Sequence, residues 1–277
     1  MRILVVGMGL IGGSICKSIK AATSHAVYGC DVQQAVLDDA IADGAIDGTG
    51  TMTDGTYDMI ILCLHQRIAI QMVQEALPKI PAGTILVDTC GLKGRMVRDL
   101  TYRCRKADVR YVGTHPMAGR EKNGYYASIP NLFQNANLIV TPVDGTDEAA
   151  LDTVKELADQ MGFGKIVTAT PMWHDNMIAY TSQLAHVVSS SYVKDFCMDD
   201  ALSFSGGSFQ DMTRVARLDE DMWTELFLDD EDFLTAELEE LIGHLTDYRN
   251  ALRAKDTQRL HDLLKEGREL KATAGGN

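Results

Sequence analysis

A glycine motif near the N-terminus constrains the fold more than any other feature of the sequence. The β-branched run RILVVG at residues 2–7 leads directly into GMGLIG, where Gly7, Gly9 and Gly12 have the spacing GxGxxG. Helical spacing follows over residues 11–22. Glycines at these places allow a tight turn, a close backbone approach to a bound group and close packing of a helix on a strand. The motif therefore predicts the strand, turn and helix that begin a doubly wound α/β domain.

The same alternation of strand and helix patterns continues to about residue 170. Further strands are predicted at 26–31, 57–64, 84–88, 110–113, 138–143 and 165–168, with helices at 32–42, 68–77 and 147–161. Near-continuous apolar strands between helices are typical of a parallel sheet that is covered on both faces. We therefore predict a Rossmann-like domain over residues 1–170.

The pattern changes after Pro171, where β-branched runs flanked by turn residues no longer occur. Helices are predicted at 173–196, 209–217, 221–228, 230–254 and 256–273, and the last one has leucines on one side. Residues 171–277 are therefore predicted to form an all-helical domain. Its long, largely apolar first helix favours a core shared with a second copy, so we expect a homodimer.

Composition limits the partners and the location. The formal net charge is −13, which disfavours binding to nucleic acid or to an anionic membrane surface. No apolar run reaches the roughly 18–20 residues that span a membrane. The six cysteines form no CxxC pair, which argues against a zinc site and against a disulfide scaffold. We expect a cytoplasmic protein with reduced thiols and no bound metal.

The glycine motif also predicts the cofactor. Phosphates would bind the free N–H groups at the positive end of the first helix. Asp31 ends the second strand about 20 residues beyond the last glycine, where a carboxylate accepts bonds from ribose hydroxyls. This carboxylate would repel a 2′-phosphate, and no arginine follows it at residues 32–34, so NAD is preferred over NADP. The candidate cofactor-binding residues are Gly7, Met8, Gly9, Leu10, Ile11, Gly12, Asp31, Leu64 and His65.

Three further residues are candidates for chemistry. His115 lies in VGTHPMAG, just past a predicted strand and in what reads as a fixed loop, where ligands of doubly wound sheets bind. His186 lies in the long helix, and Arg214 can bind a carboxylate in bidentate fashion. From the residues alone, each has a structural alternative: a hydrogen-bonded histidine for the first two, and a surface ion pair for Arg214.

Three segments carry a resemblance to a known family. GTHPMAG at 113–119, WHDNMIAYTSQLAHVV at 173–188 and GGSFQDMTRVARLDEDMW at 206–223 occur in this order after the nucleotide motif. Together they resemble the prephenate/arogenate dehydrogenase family of tyrosine biosynthesis, from residue 2 to about residue 265. The family joins an NAD(P) domain to a helical dimerisation domain, which agrees with the organisation predicted above.

The resemblance implies roles for single residues. His115 matches the catalytic histidine that bonds the ring hydroxyl, and His186 matches a histidine that contacts the substrate side chain. Arg214 matches the arginine that holds the ring carboxylate. Trp223 matches a tryptophan near the substrate pocket, and Glu121 matches an acidic residue that helps to gate it.

The implied reaction is NAD-dependent oxidative decarboxylation of prephenate to 4-hydroxyphenylpyruvate. The alternative substrate is arogenate, which would give tyrosine directly. More remote alternatives are a β-hydroxyacid dehydrogenase-like oxidoreductase and a non-catalytic NAD(H)-sensing protein, although neither needs His115, His186 and Arg214 together.

The sequence departs from the family pattern at two candidate substrate-binding residues. Gly91 takes the place of the serine in the family's GSxK segment, which reads CGLK at residues 90–93 here. Gln183 replaces the first histidine of the family's SHLPH segment, which reads SQLAH here. The length of the chain also leads us to expect no C-terminal ACT domain.

Overall fold

The computed structural model describes residues 1–120, 122–194, 200 and 203–274. Eight strands form one sheet in the order β3-β2-β1-β4-β5-β6-β7-β8. The strands are β1 Arg2–Val6, β2 Ala26–Cys30, β3 Gly48–Thr49, β4 Met59–Leu62, β5 Ile85–Asp88, β6 Arg110–Met117, β7 Asn137–Val140 and β8 Lys165–Thr168. The helices between them are α1 Leu10–Ala22, α2 Gln34–Ala42, α3 Gln66–Ala76, α4 Gly94–Lys106 and α5 Glu148–Gln160. This mostly parallel α/β arrangement confirms the predicted fold class.

The sheet is buried on both faces. Along β1, Ile3 and Val5 belong to one apolar cluster, which includes buried residues of α1, α2 and α5. Leu4 and Val6 belong to a second cluster, which includes buried residues of α3 and α4. Successive side chains of a strand point to opposite faces, so an uninterrupted apolar strand fits a sheet with helices on both sides. This burial holds the carboxyl ends of the strands in fixed positions.

The sheet departs from the predicted parallel arrangement at one pair of strands. β7 runs antiparallel to β6, with Thr114 opposite Val140 and Met117 opposite Asn137. The connection between the two strands contains a 3-10 turn, Tyr125–Ala127, and no α-helix in its described part. A parallel neighbour needs a crossover connection, usually a helix, whereas an antiparallel neighbour does not.

Helix α4 was not predicted from the sequence. Its sequence is dominated by charged residues, but Met96, Leu100 and Cys104 recur at four-residue intervals and are fully buried. That spacing places all three on one face of a helix. The helix matters for the site because its N-terminus follows the loop after β5.

The C-terminal part of the described chain is helical, as expected, but the first predicted helix is not one regular helix. It consists of α6 Pro171–Ile178, a π-helical segment Ala179–Gln183 and α7 Leu184–Tyr192. Its predicted end at residue 196 lies outside the described residues. The later elements are α8 Gly207–Thr213, a 3-10 turn Arg214–Ala216, α9 Glu220–Asp229, α10 Glu231–Ala254 and α11 Thr257–Thr273.

The chain forms two compact units. The first contains Met1–Ile178 together with Asp219–Asp229, so α9 belongs to it. The second contains Ala179–Leu218 and Asp230–Asn277. The domain limits 1–170 and 171–277 stay predictions. Within the described ranges, no helix combines the length and the apolarity that a membrane crossing requires.

Candidate active site

Six of the predicted nucleotide-binding residues form the turn after β1 and the start of α1, and we call residues 7–12 the glycine turn. Gly7 has φ +93°, and a Cβ there would overlap the carbonyl oxygen of Cys63. A Cβ on Gly12 would overlap the carbonyl oxygen of Gly7. A Cβ on Gly9, by contrast, would meet no protein atom within 4 Å. Gly7 and Gly12 therefore shape the turn, whereas Gly9 leaves open space beside it.

Asp31 is tied to the glycine turn by backbone hydrogen bonds. The N–H of Met8 donates to Asp31 Oδ2 at 2.7 Å, and the N–H of Gln33 donates to Asp31 Oδ1 at 2.9 Å. A carboxylate has about four acceptor positions, so two remain for a ligand. Asp31 is half-buried at the end of β2, and the side chain of Val32 beside it is fully exposed.

Leu64 and His65 lie beside the turn because β4 is the neighbour of β1. The Leu64 side chain would lie 2.8 Å from a Cβ on Gly7, so it packs against the turn. His65 is the exposed N-cap residue of α3. From β1 the chain continues to β2 on one side of the sheet, and from β4 it continues to β5 on the other side. The point at which the strand order reverses therefore lies here, between β1 and β4. Doubly wound sheets bind ligands at this point.

His115 lies inside β6, opposite Ile139 of β7. The expectation that it lies in a loop past the strand is therefore wrong. The strand continues through Met117 because β7 supplies hydrogen-bond partners beyond the end of β5. A strand position holds the half-buried imidazole more firmly than a loop does.

A line of hydrogen bonds joins His115 to two residues of α6, and we call these three residues the histidine chain. His115 Nδ1 lies 2.9 Å from His174 Nε2, and His174 Nδ1 lies 2.7 Å from Asp175 Oδ1. The Asp175 carboxylate also accepts the backbone N–H groups of Lys93 and Gly94, at 2.8 and 2.7 Å. It thereby caps the N-terminus of α4.

The surroundings of His115 favour a neutral imidazole. Burial lowers the pKa of His115 well below its ordinary value of 6.5, and the nearby Lys93 acts in the same direction. Desolvation disfavours the charged form of a base, and neighbouring positive charge acts in the same direction. A neutral histidine can accept a proton, which is what a general base must do.

A buried ion pair lies beneath His115. Asp88 at the end of β5 pairs with Lys93, and both side chains are fully buried. Lys93 Nζ also donates to the carbonyl of Thr114 at 2.6 Å, in the residue before His115. The Tyr111 hydroxyl donates to Asp88 at 2.7 Å, and burial together with this carboxylate raises the pKa of Tyr111 well above its ordinary value. These bonds satisfy the buried charges.

Gly91 lies in the loop between β5 and α4. A Cβ there would meet only a methyl group of Leu226 on α9, at 3.8 Å, so the loop has room for a side chain. The nearby Thr89 hydroxyl donates to the carbonyl of Leu62 at 3.1 Å. The Thr89 hydroxyl is therefore occupied by a hydrogen bond within the sheet. Position 91 is a glycine and supplies no hydroxyl.

Trp223 lies on α9, within the first unit. Its ring is half-buried, with its centroid 5.3 Å from that of Phe227. Asp229 at the end of α9 bonds Arg95 of α4 at 3.1 Å and Gln66 of α3 at 3.2 Å. These bonds fix α9 near the N-termini of two sheet helices.

The second unit holds the other candidate residues. His186 on α7 has its Nδ1 2.8 Å from the carbonyl oxygen of Ser182, one turn earlier. Gln183 ends the π-helical segment and is buried, and its Oε1 has no hydrogen-bond partner within the described part of the chain. Arg214 begins the 3-10 turn after α8 and is exposed. Glu121 lies outside the described residues.

The sequence interpretation missed His174, Asp175 and the pair of Asp88 with Lys93. A signal for the first two was present, since adjacent His and Asp residues lie at the start of the helix after Pro171. Their partner His115 is 59 residues away, however, and no local pattern indicates that contact. In the sequence, Lys93 is simply the last residue of the CGLK segment that contains Gly91.

Comparisons with known proteins agree with this architecture. Residues 15–168 match the family described as prephenate dehydrogenase, nucleotide-binding domain, and residues 170–266 match prephenate dehydrogenase, dimerization domain. The chain is 27% identical to a prephenate dehydrogenase of Lactococcus lactis, over 98% of this chain and 76% of that protein. It is 29% identical to a cyclohexadienyl dehydrogenase of Zymomonas mobilis, over 97% and 94%.

One solved structure is similar to this protein over almost its whole length. The prephenate dehydrogenase of Aquifex aeolicus, in complex with hydroxyphenyl propionate and NAD+, has a TM-score of 0.86 at 27% identity. The similarity extends over 99% of each chain. With the family models matching both parts of the sequence, the chain belongs to the prephenate dehydrogenase family.

Proposed function

We propose that this protein catalyses the NAD-dependent oxidative decarboxylation of prephenate to 4-hydroxyphenylpyruvate. The observation that carries the proposal is His115, a half-buried imidazole that is fixed on β6 with one ring nitrogen anchored by His174 and whose pKa is lowered by burial. Family membership supports the same reaction. A redox sensor without catalysis would have no use for a base held in this way.

The glycine turn fits a dinucleotide. The open space at Gly9 admits a pyrophosphate close to the backbone, and α1 has no side-chain cap that would compete for its N–H groups. The two remaining acceptor positions of Asp31 suit the hydroxyls of the adenine ribose, and its charge disfavours a 2′-phosphate. NAD, when bound, supplies the hydride acceptor.

His115 removes the proton of the substrate's ring hydroxyl. The electron pair of the O–H bond forms the carbonyl as the hydride leaves the same carbon. Loss of carbon dioxide then leaves its bonding pair in the ring, which becomes aromatic, and the phenolate oxygen takes the proton back from His115. Burial assists this step because it keeps His115 unprotonated before the reaction. We assign the ring carboxylate to Arg214 and the side chain to His186 and Gln183, on the basis of the family resemblance.

The substrate side chain decides between prephenate and arogenate, which differ in a keto or an amino group. Prephenate is favoured because the relative from Lactococcus and the solved structure from Aquifex are both named prephenate dehydrogenases. The relative from Zymomonas, named a cyclohexadienyl dehydrogenase, keeps arogenate as the second candidate.

The test is the formation of reduced nicotinamide by the purified protein, with prephenate or arogenate and with NAD or NADP. We expect turnover with prephenate and NAD, and weaker turnover with NADP because of Asp31. More efficient turnover of arogenate would show that arogenate is the substrate, while the proposed type of reaction would stay the same. If all four combinations are silent while NAD still binds, the proposed activity is wrong.

We also assign a homodimer to this protein. The second family model is described as a dimerization domain, and α10 and α11 carry exposed large apolar side chains. These are Ile242, Leu245, Leu252, Leu264 and Leu270. Sedimentation equilibrium should give twice the mass of the chain, and a monomer at micromolar concentration would contradict the assignment.

A further inference from the structure

We propose that His174 and Asp175 are positioning residues that fix the tautomer of His115, so that its Nε2 is the nitrogen that takes the substrate proton. The inference rests on the proposed function, because it names residues that act through the base of that reaction. Neither residue is among the sequence-derived site candidates.

The Asp175 carboxylate acts only as an acceptor. Three N–H donors converge on it: the backbone groups of Lys93 and Gly94, and Nδ1 of His174. The contact with Gly94 is so close that a Cβ at this position would lie 2.9 Å from Asp175 Oδ2. The N-terminus of α4 carries partial positive charge, which further stabilises the ionised carboxylate.

An acceptor at Asp175 determines the tautomer of His174. His174 Nδ1 must carry its hydrogen in order to donate to Asp175 Oδ1. In a neutral imidazole, the other nitrogen then has a lone pair and accepts. The His174 side chain is fully buried, so no water replaces either partner.

An acceptor at His174 Nε2 in turn determines the tautomer of His115. His115 Nδ1 lies 2.9 Å from it and must donate its hydrogen. His115 Nε2 is then left with a lone pair. Without an anchored partner at Nδ1, nothing in the ring would favour this tautomer over the one that carries the hydrogen on Nε2.

The same bonds stabilise the product of the proton transfer. When the substrate O–H bond breaks, a new N–H bond forms at His115 Nε2, and the ring becomes an imidazolium. Its Nδ1–H keeps donating to His174, and Asp175 supplies a negative charge at the far end of the line. No proton needs to reach Asp175, as in hydrolytic triads where an aspartate orients a histidine.

The charged and titratable groups near His115 come from three elements. His174 faces it from α6, and Lys93 lies before α4 with its charge balanced by Asp88 of β5. On β7, the residue opposite His115 is the apolar Ile139. Asp175 is thus the carboxylate that is linked to His115 by hydrogen bonds, through the imidazole ring of His174.

The experiment compares two variants of similar size, His174→Leu and His174→Gln, in the full-length protein. Leucine removes the acceptor for His115 Nδ1. Glutamine can still donate a hydrogen bond to Asp175 and accept one from His115, so both hydrogen bonds keep the direction that they have with His174. We expect His174→Leu to lower kcat with prephenate about 10- to 100-fold, part of what a general base contributes. We expect His174→Gln to recover most of this loss, with KM within about 3-fold in both.

A second readout needs no turnover. Nitrogen-15 NMR of the imidazole rings, with His115→Asn for assignment, reports which nitrogen of His115 carries the hydrogen. We expect the Nδ1–H tautomer in the wild type and in His174→Gln, and a shift toward Nε2–H in His174→Leu. Asp175→Ala should give a mixture, whereas loss of the cap on α4 would by itself only lower the unfolding temperature.

The outcomes separate the two proposals. An Nε2–H tautomer in the wild type, or equal tautomers and equal kcat in the leucine and glutamine variants, overturns the positioning role. The expected tautomers in a protein that turns over neither prephenate nor arogenate would leave the positioning role intact and overturn the proposed function.

Discussion

The glycine turn and the histidine chain lie in the same unit, but they are held in different ways. The turn is shaped by backbone: Gly7 has a positive φ, and a main-chain N–H ties the turn to Asp31. The histidine chain is shaped by side chains from β6 and α6 that meet the N-terminus of α4.

The difference shows how each region fails. A surface made of backbone is insensitive to most side-chain changes, but it does not tolerate a Cβ where the chain folds onto itself. A base held by buried side chains is sensitive to a single polar substitution, because each group orients the next. The following predictions test this contrast, from the largest expected effect to the smallest.

His115→Asn should separate chemistry from cofactor binding. We expect kcat to fall about 10³- to 10⁴-fold, within the range that general bases contribute. NAD affinity, measured by fluorescence titration, should stay within about 2-fold because the glycine turn has no bond to this side chain. A normal kcat would remove His115 from the mechanism.

Lys93→Met should weaken the fold beneath the histidine chain. It leaves Asp88 buried without its cation, which costs about 3–5 kcal/mol of unfolding free energy. Denaturant titration measures this loss. The matched double variant, Asp88→Asn with Lys93→Met, should recover part of it because no unpaired charge remains. No recovery would mean that packing at Lys93, rather than charge, is lost.

Gly12→Ala and Gly9→Ala form a matched pair in the glycine turn. The Cβ at Gly12 overlaps the backbone of Gly7, so we expect a loss of about 1–3 kcal/mol in stability together with weaker NAD binding. The Cβ at Gly9 meets no protein atom, so we expect weaker NAD binding at unchanged stability. Equal unfolding midpoints for the two variants would refute this division of roles.

The pH profile should reflect the burial of His115. Its pKa is lowered, so the base stays neutral below pH 6.5, and the acid limb of kcat/KM lies below that value. The unfolded chain binds this proton more readily, so protonation of the histidine lowers stability as the pH falls below 6.5. An acid limb at or above pH 6.5 that His115→Asn removes would contradict the lowered pKa.

Gly91→Ser should have the smallest effect. The loop after β5 lies between the strands that lead to the glycine turn and to the histidine chain, and it has room for the side chain. We expect a change in stability within about 0.5 kcal/mol and a rise in kcat of less than about 10-fold. A strong loss of activity would show that Gly91 is required as a glycine.

Much of the fold was predictable from local patterns. The strands β1, β2, β4 and β5 were predicted to within about two residues, because apolar runs between turn residues specify buried strands. The antiparallel β7 and the extension of β6 through His115 were not, because strand direction depends on the connection and on the partner strand. The charged helix α4 was also missed, although three buried residues mark its inner face.

The sequence by itself determined the glycine turn, the change from α/β to helical structure and the family, because these rest on spacings within short segments. Only the tertiary structure decided that His115 meets His174 and that Asp175 caps α4. It also decided that Asp88 and Lys93 form a fully buried pair. The physical reason is distance along the chain: hydrogen bonds between side chains of separate elements exist only once the sheet and its helices have packed.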